Sequence, residues 1–284
     1  MVTTYRPASV LEALRLKQQA QAEALFVAGG TDIMPAGRTA PVLIYLQGID
    51  ELREVSKSED VLRMGAGCTY TQLIGDKRIP EILRESMQEI ASPAIRNVGT
   101  LAGNICNASP AGDTLPLLYV LDAILVIGHM DEQGKLRTRR LGIEAFIQGV
   151  RRIALRPSEM VLAIEIPCAA YEQMTKLQRF KAGARKAQAI AKLSFAGLCR
   201  VEGEVLQDVR IAFGAVGTTV IRSWTIEAKM QGLTLTELAE RRTAIVQEYG
   251  RILRPIDDQR STAAYRRQVC LNLLEDFLRL CTGH

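Results

Sequence analysis

The stretch Ser92-Pro-Ala-Ile-Arg-Asn-Val-Gly-Thr-Leu-Ala-Gly-Asn-Ile-Cys-Asn-Ala-Ser-Pro-Ala-Gly-Asp113 decides the fold of this chain. It is punctuated by glycine, shows little helical or strand periodicity and is longer than an ordinary surface loop. Glycines let backbone N–H groups approach a phosphate closely, and Thr100 and Asn104 beside Gly103 would add side-chain donors. The stretch therefore indicates a binding segment.

A second segment of this kind, Ala28-Gly29-Gly30-Thr31-Asp32, follows the short apolar run Leu25-Phe-Val-Ala, which is predicted to be a buried strand. Neither segment has the GxGxxG pattern of a doubly wound dinucleotide fold or the GxxxxGK[ST] pattern of a nucleoside triphosphatase. One Gly-Gly pair alone is more typical of a tight turn between two elements. Two such segments in one chain favour a diphosphate site instead.

The remaining pattern is α/β at first and then changes. A helix is predicted from Ser9, and short strands at Val42–Leu46 and Val61–Gly67. Thr69 is predicted to cap a short helix, and another helix is predicted from Ile79 to Ile90. Beyond a linker at residues 168–175, three strands (177–182, 193–201 and 206–215) precede three helices that begin near Arg222, Thr234 and Thr262. Strands first and helices afterwards are typical of a separate α+β domain.

The composition excludes several classes of protein. With 284 residues, 48% of them hydrophobic, the chain is long enough for one large core or two ordinary ones. No apolar run approaches the roughly 18 residues of a membrane span, and the first 20 residues carry Arg6, Glu12 and Arg15, so we expect a cytoplasmic protein without a signal sequence. The net charge of +5 and the lack of basic stretches interleaved with aromatic rings argue against nucleic acid.

The cysteines and histidines suggest no metal site and no catalytic residue. None of the six cysteines forms a CxxC pair, so we expect reduced, mostly buried thiols, including Cys106 within the long stretch. The two histidines, His129 and His284, lie outside both glycine segments. No acid–base or nucleophile constellation has a suitable spacing. Trp224 is expected to pack in the second domain.

The long stretch resembles the signature of the FAD-binding (medium) subunit of molybdenum hydroxylases of the xanthine dehydrogenase and carbon monoxide dehydrogenase type. In that signature an R-N-x-G-T-x-G-G-N core precedes an A-S-P-x-x-D tail. Residues 96–104 depart from the core only at Ala102, where glycine is usual, and residues 108–113 match the tail. Residues 28–32 are similar to the first pyrophosphate loop of the family, and Pro157–Pro167 to the strand that closes its flavin domain.

This resemblance implies an α+β fold. A two-subdomain FAD-binding domain of the PCMH/VAO type would occupy residues 1–170, with subdomains at about 1–57 and 58–170. A smaller α+β C-terminal domain, a three-stranded sheet plus helices, would occupy residues 175–284. The motifs beginning at Phe213, Arg222 and Ser261 are similar to that second domain.

The resemblance also implies a function. The chain would bind FAD non-covalently, take electrons from [2Fe-2S] clusters of an iron–sulfur subunit and pass them to NAD or another acceptor. Substrate would be hydroxylated at a molybdenum cofactor in a molybdopterin-binding large subunit, so the molybdenum and the clusters belong to partners only. The alternatives are the flavin subunit of a related reductase complex, a free-standing flavoenzyme, and a nucleotide-binding regulatory or assembly protein. One motif favours the regulatory or assembly alternative: Ala102 stands where glycine is usual, and its methyl group would narrow the diphosphate pocket.

The family's cofactor-binding residues carry over by motif. One side of the diphosphate would be surrounded by the first segment and the other side by the second. Asp113 would bond a sugar or ribityl hydroxyl, with the N-cap of the following helix as its alternative role. Lys181 would reach the polar edge of the flavin ring, with a solvated strand lysine as the alternative. The full set is Ala28, Gly29, Gly30, Thr31, Asp32, Thr100, Gly103, Asn104, Asp113, Val161 or Leu162 near the isoalloxazine, and Lys181.

Overall fold

The computed structural model describes residues 2–20, 23–185 and 188–283, so His284 lies outside the described residues. The chain forms two compact units that alternate along the sequence. The first comprises Met1–Ile79, Ala91–Ala108 and Ala123–Pro167, and the second comprises Pro80–Ile90, Ser109–Asp122 and Cys168–His284. The sequence-based domain boundaries at residues 170 and 175 stay a prediction.

The helices and strands follow one another in a mixed order. Up to residue 120 they are β1 (Thr3–Tyr5), α1 (Val10–Ala20), β2 (Ala24–Val27), β3 (Val42–Tyr45), β4 (Val55–Lys57), β5 (Val61–Gly65), α2 (Tyr70–Gly75), α3 (Glu81–Gln88), α4 (Pro93–Arg96), α5 (Leu101–Asn107) and α6 (Leu115–Val120). Beyond it they are β6 (Ile124–Met130), β7 (Leu136–Gly142), α7 (Ile143–Phe146), β8 (Ile147–Gly149), β9 (Arg152–Ile153), β10 (Met160–Pro167), α8 (Ala169–Glu172), β11 (Lys176–Ala182), β12 (Leu193–Glu202), β13 (Val205–Gly214), β14 (Ile221–Arg222), α9 (Trp224–Met230), α10 (Leu235–Ile252) and α11 (Ala263–Thr282).

The first unit contains two larger sheets. Strands β1, β3 and β2 form a parallel sheet in that order. Strands β4, β5, β10, β6 and β7 form an antiparallel sheet in which β10 is central and buried from Met160 to Ile166. Because the carboxyl ends of β2 and β3 lie at the same edge of the parallel sheet, the segments that follow them are brought together.

The second unit contains a four-stranded antiparallel sheet in the order β11, β12, β13 and β14. Its core includes an aromatic cluster in which the ring of Phe195 lies 5.3 Å from Phe213 and 5.8 Å from Phe277, with Tyr249 5.6 Å from Phe213. These rings come from two strands and the two long helices α10 and α11. The cluster is thus the point at which the helices pack on the sheet.

Local sequence explains where several helices begin. Thr69, Thr234 and Thr262 each accept a hydrogen bond from a backbone N–H of the first helical turn, and Thr69 and Thr234 complete capping boxes with Gln72 and Glu237. No helix within the described residues is long and apolar enough to cross a membrane.

Several elements differ from the sequence-based expectation. The C-terminal sheet has a fourth strand, β14. The sequence did not predict this strand because two residues are too few to show a periodicity. The linker at 168–175 contains helix α8. Trp224 was expected to pack in the second domain; it lies in the second unit, but it is 55% exposed and the Arg222 guanidinium lies 3.7 Å above its ring. A ring at the first position of α9 is held by a cation–π contact rather than by burial.

Candidate functional site

The first glycine segment lies at the carboxyl edge of the parallel sheet. Val27, the last residue of β2, accepts a hydrogen bond from Leu46 N–H just beyond β3 (2.9 Å). Ala28 and Gln47 therefore leave the sheet side by side. In open α/β sheets this edge is where ligands bind, because the loops that leave adjacent strands diverge there and open a crevice.

Gly29 and Gly30 are required for two different reasons. A Cβ at Gly29 would lie 2.0 Å from the carbonyl oxygen of Val98 and 2.9 Å from the Cα of Gly99. Gly29 thus permits a backbone approach that a side chain would prevent. Gly30 adopts φ +69°, in the left-handed region that favours glycine.

The backbone N–H groups of residues 28–33 form the clearest donor set. The N–H groups that follow this set are paired within the turn: Met34 N–H donates to the Gly30 carbonyl (2.9 Å) and Arg38 N–H donates to the Ile33 carbonyl (3.0 Å). By contrast, none of the six N–H groups from Ala28 to Ile33 donates a hydrogen bond to any residue that the structure describes. Such a run of unpaired donors in a turn is a concavity that suits an anion.

The second glycine segment is a helix start and not the loop that the sequence predicted. Thr100 is the N-cap of α5, and its hydroxyl oxygen accepts from Gly103 N–H at 3.0 Å. A Cβ at Gly103 would lie 2.9 Å from that hydroxyl oxygen, so glycine is needed for the cap and not for a positive φ. Thr100 is 6% exposed and can still donate its hydroxyl proton. Asn104 lies one residue further along α5.

Ala102 does not narrow a binding groove. The residue lies in the first turn of α5 and is 5% exposed, so its methyl group presents almost no surface to a ligand. The expectation that this substitution would reduce the diphosphate pocket is therefore wrong, because the helix turns the methyl group inward. The regulatory or assembly alternative loses the one motif that favoured it.

A hydrogen bond and a close contact join the two segments. The side-chain amide of Asn107, at the end of α5, donates to the carboxylate of Asp32 at 3.0 Å. A Cβ at Gly99 would lie 3.4 Å from the hydroxyl of Thr31. Together with the approach of Gly29 to Val98, these contacts make the two segments one continuous surface.

A cavity of about 260 Å³ opens beside this surface. Small-molecule sites usually occupy about 300–1,000 Å³, so this cavity would hold part of a dinucleotide and not all of it. Residues from both glycine segments line it together with residues that the sequence did not single out. The lining residues are Ala28, Leu46, Gln47, Arg53, Gly67, Thr69, Asn97, Val98 and Thr100.

The sequence reasoning missed Gln47, Arg53, Gly67, Thr69 and Asn97 as lining residues. Asn97 lies within the long signature and Thr69 was recognised only as a helix cap, so both had a local signal. Arg53 had none, because it is an exposed arginine in a short charged stretch, Asp50–Arg53. Its position beside the cavity depends on the folding of the first unit.

Val161 and Leu162 lie elsewhere in the first unit, on the central strand β10. They are 5% and 7% exposed. Leu162 packs against β6, where a Cβ at Gly128 would lie 2.6 Å from its Cδ1. Neither residue lines the 260 Å³ cavity. Their proximity to an isoalloxazine ring stays a prediction of the resemblance.

Asp113 and Lys181 lie in the second unit, where they form an ion pair. Lys181 Nζ lies 2.7 Å from Asp113 Oδ2 and 3.3 Å from the Glu89 carbonyl oxygen, and the two side chains are 13% and 15% exposed. The alternative that Lys181 is a solvated lysine of the strand is therefore excluded. The N-cap position of α6 belongs to Thr114, so the capping role of Asp113 is wrong as well.

The electrostatics of this pair are shaped by burial. Burial raises the pKa of Asp113, and the hydrogen bond and charge of Lys181 oppose that shift without cancelling it. Asp113 Oδ1 is buried and accepts no hydrogen bond from a described residue. One oxygen of the carboxylate is thus committed to Lys181, while the other can still accept from a ligand hydroxyl or N–H.

Cys106 is a weak nucleophile despite its place in the signature. Burial raises the pKa of its thiol to about 12, so the thiolate is scarce at neutral pH. The other five cysteines are buried and free. His129 lies in β6, outside both glycine segments.

Comparison with known proteins places the chain in a family. Residues 1–169 match the FAD binding domain in molybdopterin dehydrogenase, and residues 178–280 match the CO dehydrogenase flavoprotein C-terminal domain. The first match alone covers more than half of the chain, and the chain belongs to this family of FAD-binding subunits of molybdenum hydroxylases. The resemblance of the long signature is therefore confirmed.

Individual relatives agree with this assignment. The chain is 30% identical over 239 residues to the xanthine dehydrogenase FAD-binding subunit of Escherichia coli O157:H7, covering 81% of this chain and 80% of the relative. It is 27% identical to the carbon monoxide dehydrogenase medium chain of Hydrogenophaga pseudoflava, covering 92% and 90%. A crystal structure of a Cu,Mo-CO dehydrogenase in a cyanide-inactivated form matches with a TM-score of 0.85 at 25% identity, covering 97% and 95% of the two chains. The α+β fold is thereby confirmed.

Proposed function

We propose that this chain is the FAD-binding electron-transfer subunit of a molybdenum-dependent dehydrogenase or hydroxylase. The observation that carries the proposal is the run of unpaired N–H groups from Ala28 to Ile33 at the carboxyl edge of a parallel sheet. A diphosphate needs converging donors, and a turn of this kind supplies them without a charged side chain.

The residues present fit a diphosphate. The N–H groups of Gly29, Gly30, Thr31 and Asp32 would bind it from one side. The Thr100 hydroxyl, with Gly103 and Asn104 behind it, would bind it from the other. The carboxylate of Asp32 would repel a phosphate, but it accepts from Asn107, so Asp32 would serve the diphosphate through its N–H and hold the segment through its side chain.

Bound FAD would supply the electron carrier, and the protein would supply binding and orientation. We expect a non-covalent complex, since His129 lies in β6, outside both glycine segments, and the thiol of Cys106 is protonated at neutral pH. The roles of Asp113, Lys181, Val161 and Leu162 toward the ribityl chain and the ring rest on the family resemblance.

The partners and the acceptor belong to the same proposal. Relatives of this chain are named as a FAD-binding subunit of xanthine dehydrogenase, a beta subunit of caffeine dehydrogenase and a medium chain of carbon monoxide dehydrogenase. By analogy this chain would receive electrons from the [2Fe-2S] clusters of an iron–sulfur subunit beside a molybdopterin-binding large subunit. It would pass them to NAD or another acceptor in the cytoplasm.

The test begins with the purified chain. Its visible absorbance is recorded, any chromophore is released by acid, and the chromophore is identified and counted. We expect one FAD for each chain, released without covalent linkage. Asn104→Ala should reduce FAD occupancy while the far-ultraviolet circular dichroism stays unchanged, and Gly75→Ala, whose added methyl meets nothing within 4 Å, should keep full occupancy. A colourless wild-type chain that FAD does not reconstitute would reject the proposal.

A further inference from the structure

The cavity beside the glycine segments contains one charged residue that no role yet explains. Among the described residues that line the 260 Å³ space, only Arg53 carries a charge. Its guanidinium forms no ion pair or hydrogen bond with any described residue. By contrast, Arg63 bonds Glu165 at 2.7 Å and Arg139 bonds Glu159 at 2.7 Å in the same unit. An unpaired cation at a cavity favours an anionic ligand.

The backbone that carries Arg53 is fixed in place. Its carbonyl oxygen accepts from the Cys68 thiol (3.2 Å), and the adjacent Leu52 is 1% exposed. Gly67 N–H donates to the Leu52 carbonyl at 2.7 Å, and a Cβ at Gly65 would lie 2.2 Å from the same oxygen. Arg53 therefore extends from a rigid 3-10 turn, which lowers the entropy lost when its side chain binds a ligand.

The other lining groups suit a nucleoside. Leu46 and Val98 supply apolar surface against which a base could pack, and the amides of Gln47 and Asn97 match the hydrogen-bonding edges of a purine. The volume is below that of an ordinary drug-sized site, so the smaller half of a dinucleotide suits it better than a three-ring isoalloxazine. Ala28 and Thr100 join this cavity directly to the segments assigned to the diphosphate.

We propose that Arg53 binds a phosphate of the adenosine half of the ligand and makes the site select adenosine phosphates over flavins that lack them. The proposal rests on the function proposed above for the ligand's identity. Its chemistry requires only an adenosine phosphate, so ADP alone should enter the same cavity. Arg53 is then a specificity-determining residue, and its contribution should depend on ionic strength because it is exposed.

The experiment measures binding of FAD, ADP and riboflavin to the full-length chain, freed of bound nucleotide, by titration calorimetry. Arg53→Gln removes the charge, Arg53→Lys keeps it, and Arg15→Gln removes an exposed charge from α1 as the matched control. We expect Arg53→Gln to weaken the binding of FAD and ADP about 10- to 100-fold, the range for a charge-assisted hydrogen bond, and to leave the binding of riboflavin unchanged. Arg53→Lys should recover part of the loss, and Arg15→Gln should bind like the wild type. Added salt should weaken ADP binding more in the wild type than in Arg53→Gln.

Two outcomes overturn the inference. Unchanged ADP binding in Arg53→Gln, or an absence of ADP binding to the wild type, removes the role of Arg53. An equal loss of FAD and riboflavin would mean that Arg53 only maintains the fold, which circular dichroism of the variant would show independently. A wild-type chain that binds ADP in an Arg53-dependent way but not FAD would reject the flavin function and support this inference.

Discussion

The glycine segment Ala28–Ile33 and the charge network around Arg222 differ in whether their polar groups are paired. In the first unit, six consecutive N–H groups donate to none of the described residues. In the second unit, the Arg222 side chain is 1% exposed and bonds Glu227 at 3.1 Å and Asp122 at 2.6 Å. Polar groups that hold a core together are paired before they are buried, whereas groups reserved for a ligand stay unpaired and near solvent.

The pair formed by Lys181 and Asp113 is intermediate between these two cases. Its charges are joined like those of the Arg222 network, but Asp113 Oδ1 accepts nothing from a described residue. A buried acceptor without a partner is costly in a purely structural pair. The contrast between paired and unpaired groups can be tested by substitutions whose effects separate stability from binding.

The largest effect is expected from Glu227→Ala. Glu227 is 2% exposed and accepts from both Arg222 and the Ile211 N–H. Its removal leaves the buried guanidinium with Asp122 as its remaining carboxylate partner among the described residues and the buried Ile211 N–H without an acceptor. We expect the free energy of unfolding to fall by about 3–5 kcal/mol, measured by urea denaturation. Glu248→Ala, which breaks an exposed pair with Lys229, should cost less than about 1 kcal/mol. Equal losses in the two variants would contradict the structural role of the network.

Gly29→Ala should act on binding. The added methyl group would push residues 28–32 away from Val98, and overpacking of this kind costs about 1–3 kcal/mol. If that cost falls on the bound state, FAD affinity drops about 5- to 150-fold, measured by fluorescence titration. Gly75→Ala, in open space, is the control. A Gly29→Ala chain with unchanged FAD affinity would show that the close approach of the segments does not shape the site.

Asn107→Ala should have a smaller effect on the same property. Asn107 fixes Asp32 through one exposed hydrogen bond, worth about 0.5–1.5 kcal/mol, so FAD affinity should fall about 2- to 10-fold. A double-mutant cycle with Asp32→Ala separates this contact from direct ligand contacts. Additive losses in the cycle would mean that the two side chains act independently and that the bond does not position the segment.

The smallest effect concerns pH and Asp258 in the second unit. The Arg260 N–H, followed by the Arg266 and Arg260 guanidinium groups, holds the pKa of Asp258 well below its ordinary value of 3.8. A lowered carboxyl pKa contributes stability that is present above the unfolded pKa and is lost as the pH falls through the folded one. The difference in urea midpoint between wild type and Asp258→Asn should be constant from pH 7 to 5 and shrink below about pH 4. A constant difference at all pH values would exclude the ionised form as its source.

The sequence alone predicted a good part of the fold. The strands from Leu25, Val42, Val61 and Leu193 and the helices capped by Thr69, Thr234 and Thr262 were found within a few residues of their ends. Such features depend on residues three or four positions apart, so the information is local. The two glycine segments were also found locally, because glycine beside a hydroxyl or amide residue leaves a mark in the sequence.

The features that the sequence did not predict depend on long-range packing. The segment around Thr100 was predicted as a loop but begins a helix, and the Ala102 methyl group faces inward, which only the placement of α5 decides. Trp224 was expected to pack in the second domain, and only the structure shows that it is 55% exposed and that its ring covers the buried Arg222 guanidinium. In each case the residue type was known and its neighbours were not.

The sequence by itself determined the helix caps, the main strands, the two glycine segments and, through its signature, the family. Only the tertiary structure decided that Gly29 touches Val98 69 residues away in the chain, that Lys181 pairs with Asp113 and that Arg53 faces a cavity. The physical reason is that caps and turns are set by bonds within one turn of chain. Close approaches, ion pairs and cavities arise only when sheets and helices from distant parts of the sequence pack together.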